Sequence, residues 1–233
     1  MKLAKDVVDF GLYTNQREAM LAFWQQEVGL PFEETLRAGG GVHQLRHGMN
    51  GSVMKINHAR DPLEEPGPSG YRELWIAREG LAAPRELMDP DGNRIRLVPP
   101  GTDGMDGIGL RLAVRDEAAH HDFYGRVLGF PREGERGYRL GGSLVSFAAD
   151  PSVPDDVAEA NNRRMQAKGF RYSTIQVWDV DAEHRRVVER GGLEGHPPRT
   201  LGRVARISFV RDPDGNWIEL SQRASLTGAL PQR

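Results

Sequence analysis

Arg211-Asp212-Pro213-Asp214-Gly215-Asn216-Trp217-Ile218-Glu219-Leu220, near the end of the chain, repeats Met88-Asp89-Pro90-Asp91-Gly92-Asn93-Arg94-Ile95-Arg96-Leu97 from its first half. In each copy Pro fixes one backbone dihedral and Gly supplies a positive one, so Asp-Pro-Asp-Gly reads as a turn and not as a calcium loop. The residues after the turn alternate between apolar and polar, which is the period of a strand. A second pair of segments recurs upstream of the first. Ala22-Phe23-Trp24-Gln25-Gln26-Glu27-Val28-Gly29-Leu30-Pro31-Phe32 parallels Asp122-Phe123-Tyr124-Gly125-Arg126-Val127-Leu128-Gly129-Phe130-Pro131, with the aromatic pair, the glycine and the proline in register. Two motifs in the same order, each present twice, make internal duplication the simplest account of the chain.

The same order extends to the segments between the motifs. Val8, Phe10 and Leu12 alternate as a half-buried strand should, and Leu110, Leu112 and Val114 do so in the second half. A helix follows each: Met20, Phe23, Trp24 and Val28 share one face, as do His120, Phe123, Tyr124, Val127 and Leu128, and Gly29 or Gly129 ends it. Strands are expected over 42–47 and 52–58, joined at Gly48-Met49-Asn50-Gly51, and over 137–140 and 143–148, joined at Gly141-Gly142. Strands at 71–77 and 172–178 open a second unit in each half. Only the second half keeps a helical stripe there, at His184, Val187 and Val188.

The expected fold is therefore α+β, with tandem βαβββ units in two domains, each forming an open, cupped mixed sheet. The first spans 1–100 with its second unit abbreviated. The second spans 104–223 with an insertion at 150–169 that reads as a lid loop, and a frayed tail follows at 224–233. Residues 59–70, rich in Pro, Gly and Glu, read as an exposed connector, and Pro99-Pro100-Gly101 as the domain boundary.

Composition narrows the function. The chain has 233 residues, with 31 Lys and Arg against 33 Asp and Glu, so no long-range field recruits nucleic acid. The absence of cysteine removes thiolate nucleophiles, disulfides and cysteine-held metals. No apolar run is long enough for a membrane span or a signal sequence, which makes the cytoplasm the expected location. Gly39-Gly40-Gly41 precedes a strand, so it does not read as a phosphate-cradling loop. The expected partner is a small molecule, and a homodimer is left open.

The duplicated pattern resembles the vicinal oxygen chelate superfamily, which includes glyoxalases, bleomycin resistance proteins and extradiol dioxygenases. The most specific pieces are Phe123-Tyr124 with Leu128-Gly129-Phe130, and Asp212-Pro213-Asp214-Gly215-Asn216 with Glu219-Leu220. The resemblance implies a divalent metal inside a cup, held by residues of the first strand of a unit and of a late strand. Glu219 falls where the family places its carboxylate ligand. Gly109 and Tyr172 fall where histidines are expected, and the equivalent first-half positions are Asp9, Lys55, Tyr71 and Arg96, two of them cations. The usual ligand set is missing, so a bound metal needs ligands from elsewhere and the cofactor is left unknown.

Several groups remain for chemistry. Glu219 and Tyr172 can act as a catalytic pair that moves a proton next to a carbonyl without metal, or Glu219 simply ends a strand and Tyr172 fills the core. Asp9, Lys55, Tyr71 and Arg96 form either a binding site for an anionic group or a structural ion network. His43, His47 and His58 offer a displaced metal site, against the simpler reading of a solvated strand face. His120 reads as a core histidine. Two functions are carried forward. One is an enzyme acting on a small carbonyl-containing or aromatic molecule, as a lyase, isomerase or ring-cleaving oxygenase; the other is a metal-independent protein that binds or sequesters a small molecule.

Overall fold

The structure is a computed structural model that describes residues 1–65, 69–135, 137–162 and 165–231. In the first half β1 (Asp9–Thr14) leads into α1 (Arg17–Ala22), which widens into a π-helical turn at Phe23–Glu27. Then come β2 (Phe32–Gly39), β3 (Val42–Met49), β4 (Ser52–Ala59), β5 (Tyr71–Ala77), β6 (Arg85–Met88) and β7 (Arg94–Val98). In the second half β8 (Ile108–Val114), α2 (Glu117–Asp122) with its own π turn at Phe123–Val127, β9 (Arg132–Glu133), β10 (Gly137–Leu140) and β11 (Ser143–Ala149) repeat the first unit. α3 (Val157–Asn162) lies in the insertion. β12 (Gly169–Gln176), α4 (Val180–Glu189), β13 (Leu193–Leu201), β14 (Ala205–Arg211) and β15 (Trp217–Arg223) follow, and α5 (Ala224–Thr227) makes one helical turn of the tail expected to fray.

Local chemistry explains the repeat. Gly29 and Gly129 stand just past the two π turns at φ +76° and +78°, where a side chain would be strained. Both helices turn their aromatic pair inward: Trp24 is wholly buried and Tyr124 nearly so. In α4 Val180, His184 and Val187 are buried, whereas Val188 is 37 % exposed and leaves the expected stripe.

Two mixed sheets result, and each draws on both halves of the sequence. The eight-stranded sheet runs β13-β14-β15-β12-β1-β4-β3-β2, and the seven-stranded sheet runs β6-β7-β5-β8-β11-β10-β9. The first unit of the chain thus pairs with the fourth, and the second with the third, so neither half closes a sheet by itself. At the centre of the larger sheet β1 and β12 are antiparallel, with Phe10 opposite Ser173 and Gly11 opposite Tyr172. β4 flanks β1 in parallel, with Lys55 beside Gly11, and β15 flanks β12 in parallel, with Glu219 beside Thr174. A local twofold through the Phe10–Ser173 pair therefore relates Asp9 to Tyr172, Gly11 to Thr174 and Lys55 to Glu219.

One apolar core joins the sheets. It holds Phe10, Tyr71 and Phe170 with both aromatic helix ends, and α4 packs over β13, β14 and β15. The expected connector and insertion meet in a parallel bridge, Glu64 to Ala167, with the Lys168 amide donating to the Glu64 carbonyl at 3.1 Å. Both segments, and the end of the tail, run in part outside the described residues.

Candidate active site in the eight-stranded cup

The concave face of the larger sheet collects Asp9, Lys55, Tyr172 and Glu219, two from each half of the chain. Lys55 Nζ donates to Glu219 Oε2 at 2.7 Å and to Thr174 Oγ1 at 2.7 Å, and the Thr174 hydroxyl donates to the same carboxylate oxygen at 2.7 Å. The side chains of Lys55 and Glu219 are 4 % and 11 % exposed, so this is a desolvated ion pair and not a surface one. Asp9 is also buried and fully engaged: Oδ1 accepts from the Val53 amide at 2.9 Å and from Lys5 at 2.6 Å, and Oδ2 from Gln176 at 3.0 Å.

Tyr172 lies with its ring over Gly11, where a Cβ would overlap it, and Lys55 Nζ sits 5.4 Å from the ring centroid. Its hydroxyl accepts from Asn57 at 3.0 Å and from Gln44 at 3.4 Å, and Gln44 in turn accepts from Arg46 at 3.1 Å. Burial, and after it the neighbouring Tyr13 and the Glu219 charge, push the Tyr172 hydroxyl well above the usual tyrosine range. Tyr172 thus keeps its proton and presents it as a hydrogen-bond donor. Tyr13 is pushed in the same direction by burial and by Glu219.

Beside these groups lies a cavity of about 280 Å3, walled by Tyr13, Tyr172 and Phe209 and floored by Asn57 and Glu219. Met165 and Gln166 of the insertion close one side, and His196 and Arg199 of β13 stand at the other. A larger hollow of about 520 Å3 opens elsewhere, against Pro31, Arg78 and Pro100, away from this cluster.

The other expected site residues separate. A β-bulge between Tyr71 and Glu73 turns Tyr71 out of the cup row, and its hydroxyl is buried between the sheets on Ser173 Oγ at 3.1 Å and the Trp217 carbonyl at 3.0 Å. Arg96 belongs to the seven-stranded sheet, 4.9 Å from the Trp75 ring. Asp9, Lys55, Tyr71 and Arg96 are thus not one network. The histidines lie outside the cup. Gln44 and Arg46 occupy the cup face of β3, which leaves His43 and His47 on the opposite face, and His58 pairs with His43. His47 contacts Gln25 at 3.2 Å. Among the described residues no three His, Asp or Glu side chains are grouped to hold a metal.

His120 is fully buried, with Nδ1 2.8 Å from the Asp116 carbonyl and Nε2 3.4 Å from Asp212 Oδ2. Burial lowers its pKa, but the bonds and charge of Asp212 outweigh this and the net shift is upward. The sequence reading missed the buried Asn57–Gln44–Arg46 chain, whose signal was the polar alternation of β3 and β4.

A model of the Glyoxalase/Bleomycin resistance protein/Dioxygenase superfamily matches residues 107–220. The second half of the chain is thus similar to the members of this superfamily. No curated protein matches it. Glyoxalase I from Zea mays is similar in structure with a TM-score of 0.73 at 14 % identity, over 93 % of this chain and 92 % of that one. A putative dioxygenase from Bacillus subtilis gives 0.68 at 13 %, over 99 % and 92 %. At such identities the likeness establishes the fold, an α+β pair of mixed sheets spanning nearly the whole chain. Among the described residues no helix is long and apolar enough to cross a membrane.

The superfamily fold implies a divalent metal in such a cup, and the residues present do not fit one. The Lys55 ammonium lies 2.7 Å from the one carboxylate oxygen that both Thr174 and Lys55 engage. A divalent ion bound there, some 4 Å from the ammonium, would meet a repulsion of ~8 kcal/mol at the effective dielectric of a protein site. Asp9 has no unshared oxygen, and Tyr172 is neutral.

Proposed function

We propose that the eight-stranded cup binds a small, flat, partly aromatic molecule without a metal. The observation that carries this reading is the Lys55–Glu219 ion pair seated beside the aromatic-walled cavity. Tyr13, Tyr172 and Phe209 offer apolar faces, which favour a planar ligand. The Tyr172 O–H donates, and Glu219, whose Oε2 is engaged by Lys55 and Thr174, accepts through its other oxygen. A ligand group with an acceptor next to a donor, such as a carbonyl beside a hydroxyl or amide N–H, satisfies both. A cavity of about 280 Å3 restricts it to a compact molecule. The test is calorimetric titration of chelator-treated protein with a panel of small aromatic carbonyl compounds. Affinity should survive chelation and fall in Tyr172→Phe and Glu219→Gln. A ligand whose affinity vanishes with EDTA would overturn the reading.

The same pair supports turnover as a second reading. A substrate with an acidic C–H next to its carbonyl would place that carbon by Glu219 while Tyr172 polarises the oxygen, the arrangement for a lyase or isomerase proton transfer. Deuterium exchange of the bound ligand at that carbon, lost in Glu219→Gln, would mark the protein as an enzyme.

A further inference from the structure

The cup already contains a cation, and it is part of the chain. Side chains from β4, β12 and β15 converge on one point, where Lys55 Nζ receives a carboxylate oxygen and a hydroxyl oxygen at 2.7 Å each and faces the Tyr172 ring. These are oxygen donors of the kind that surround a hard metal ion at somewhat shorter range. Lys55 and Glu219 are equivalents under the local twofold, so the two units supply a cation and an anion at one position where identical units would supply two alike. Both side chains are buried, so each compensates the desolvated charge of the other.

We propose that Lys55 is a tethered substitute for a dissociable divalent cation in this cup, and that exchanging its ammonium for a donor group turns the cup into a divalent-cation site. The inference deepens the metal-independent reading above and rests on it. Lys55 is held by the chain, so it faces the Glu219 carboxylate whatever the supply of metal. With Lys55→His or Lys55→Glu the positive charge is gone, Glu219 and Thr174 keep their places, and a new donor points at them from β4. The vacated point then holds electron-rich oxygens with no counter-charge, which is what recruits a cation.

The experiment uses the full-length protein, stripped with EDTA and dialysed against Mn2+, Ni2+ or Zn2+. Bound metal is measured by elemental analysis and the melting temperature is followed in parallel. Wild type should retain no stoichiometric metal, and its melting temperature should be indifferent to the ion. Lys55→His should bind a stoichiometric amount and melt at higher temperature as metal is added, by mass action on the folded state. Adding Glu219→Gln to that variant should abolish both responses. Lys55→Glu serves as the second variant, with circular dichroism reporting folding in each. The proposal is overturned if wild type holds stoichiometric metal that Glu219→Gln releases, or if both folded variants take up none. Neither readout needs a small-molecule ligand, so failure to find one would count against the binding reading and leave these results standing.

Discussion

Replacing Lys55 with methionine leaves the stem of the side chain and removes only the ammonium, which isolates the worth of its charge. Glu219 would then keep one hydroxyl donor, Thr174, in a site where its side chain is only 11 % exposed. Removing one member of a buried pair costs ~3–5 kcal/mol, because an uncompensated charge stays behind. For a chain of this size each kcal/mol shifts the melting temperature by about 2–4 °C, so Lys55→Met should melt roughly 6–20 °C lower than wild type. Replacing both partners, as in Lys55→Met with Glu219→Leu, removes the stranded charge and should recover most of the loss. Urea denaturation of the wild type, both single variants and the double variant closes the cycle. If Lys55→Met lost less than about 1 kcal/mol, the range of exposed pairs, the carboxylate would be solvated and the desolvation argument would fail.

Three further outcomes follow from the same geometry. Gly11→Ala sets a methyl group into the Tyr172 ring and should cost ~1–3 kcal/mol by overpacking, with a matching loss of ligand affinity, read by denaturation and calorimetry. The pKa of His120 is raised in the folded state, so its contribution is full below the unfolded value of about 6.5 and is lost as pH rises through the folded value. Stability measured from pH 6 upward should therefore decline in wild type and decline less in His120→Met, the residue the first helix carries at Met20. Met165→Ala with Gln166→Ala strips the side chains that close the cup and should speed ligand release, measured by stopped flow, while leaving the melting temperature nearly unchanged.

The sequence declared its duplication because turns and helix ends depend on a few residues with special backbone demands, and those residues recur. Gly29 and Gly129, and the paired Asp-Pro-Asp-Gly turns, placed the units without reference to packing. The edge strands β2 and β13 were missed for the opposite reason: both are almost wholly exposed, so no apolar alternation marks them, and β13 contains Pro197 and Pro198. Asp9, Lys55, Tyr172 and Glu219 were identified one by one from their positions in the repeat, but they had been assigned to separate cups. Which unit pairs with which is decided by long-range strand contacts that leave no local trace. Tyr71 is separated from the others because β5 belongs to the seven-stranded sheet, where a bulge also reverses its face. Arg96 holds the equivalent repeat position but lies in the seven-stranded sheet, and His43, His47 and His58 share the face of β3 and β4 that points away from the cup.

The exchange of units between the halves also sets a timetable for folding during synthesis. When β1 to β4 emerge from a ribosome, β1 has a partner on one side only, because Asp9 must wait for Thr174 and the rest of β12. At 5–20 residues per second that wait lasts on the order of ten seconds or more. For all of it, the unpaired edge of β1, carrying Phe10 and Leu12, is a template for any other extended segment. β5 to β8 can pair with far less delay, since the second and third units are adjacent in the chain. The smaller sheet is thus in a position to form first and to hold the two ends of the larger one near each other, and slowing translation between residues 60 and 176 should raise the aggregated fraction of newly made chains.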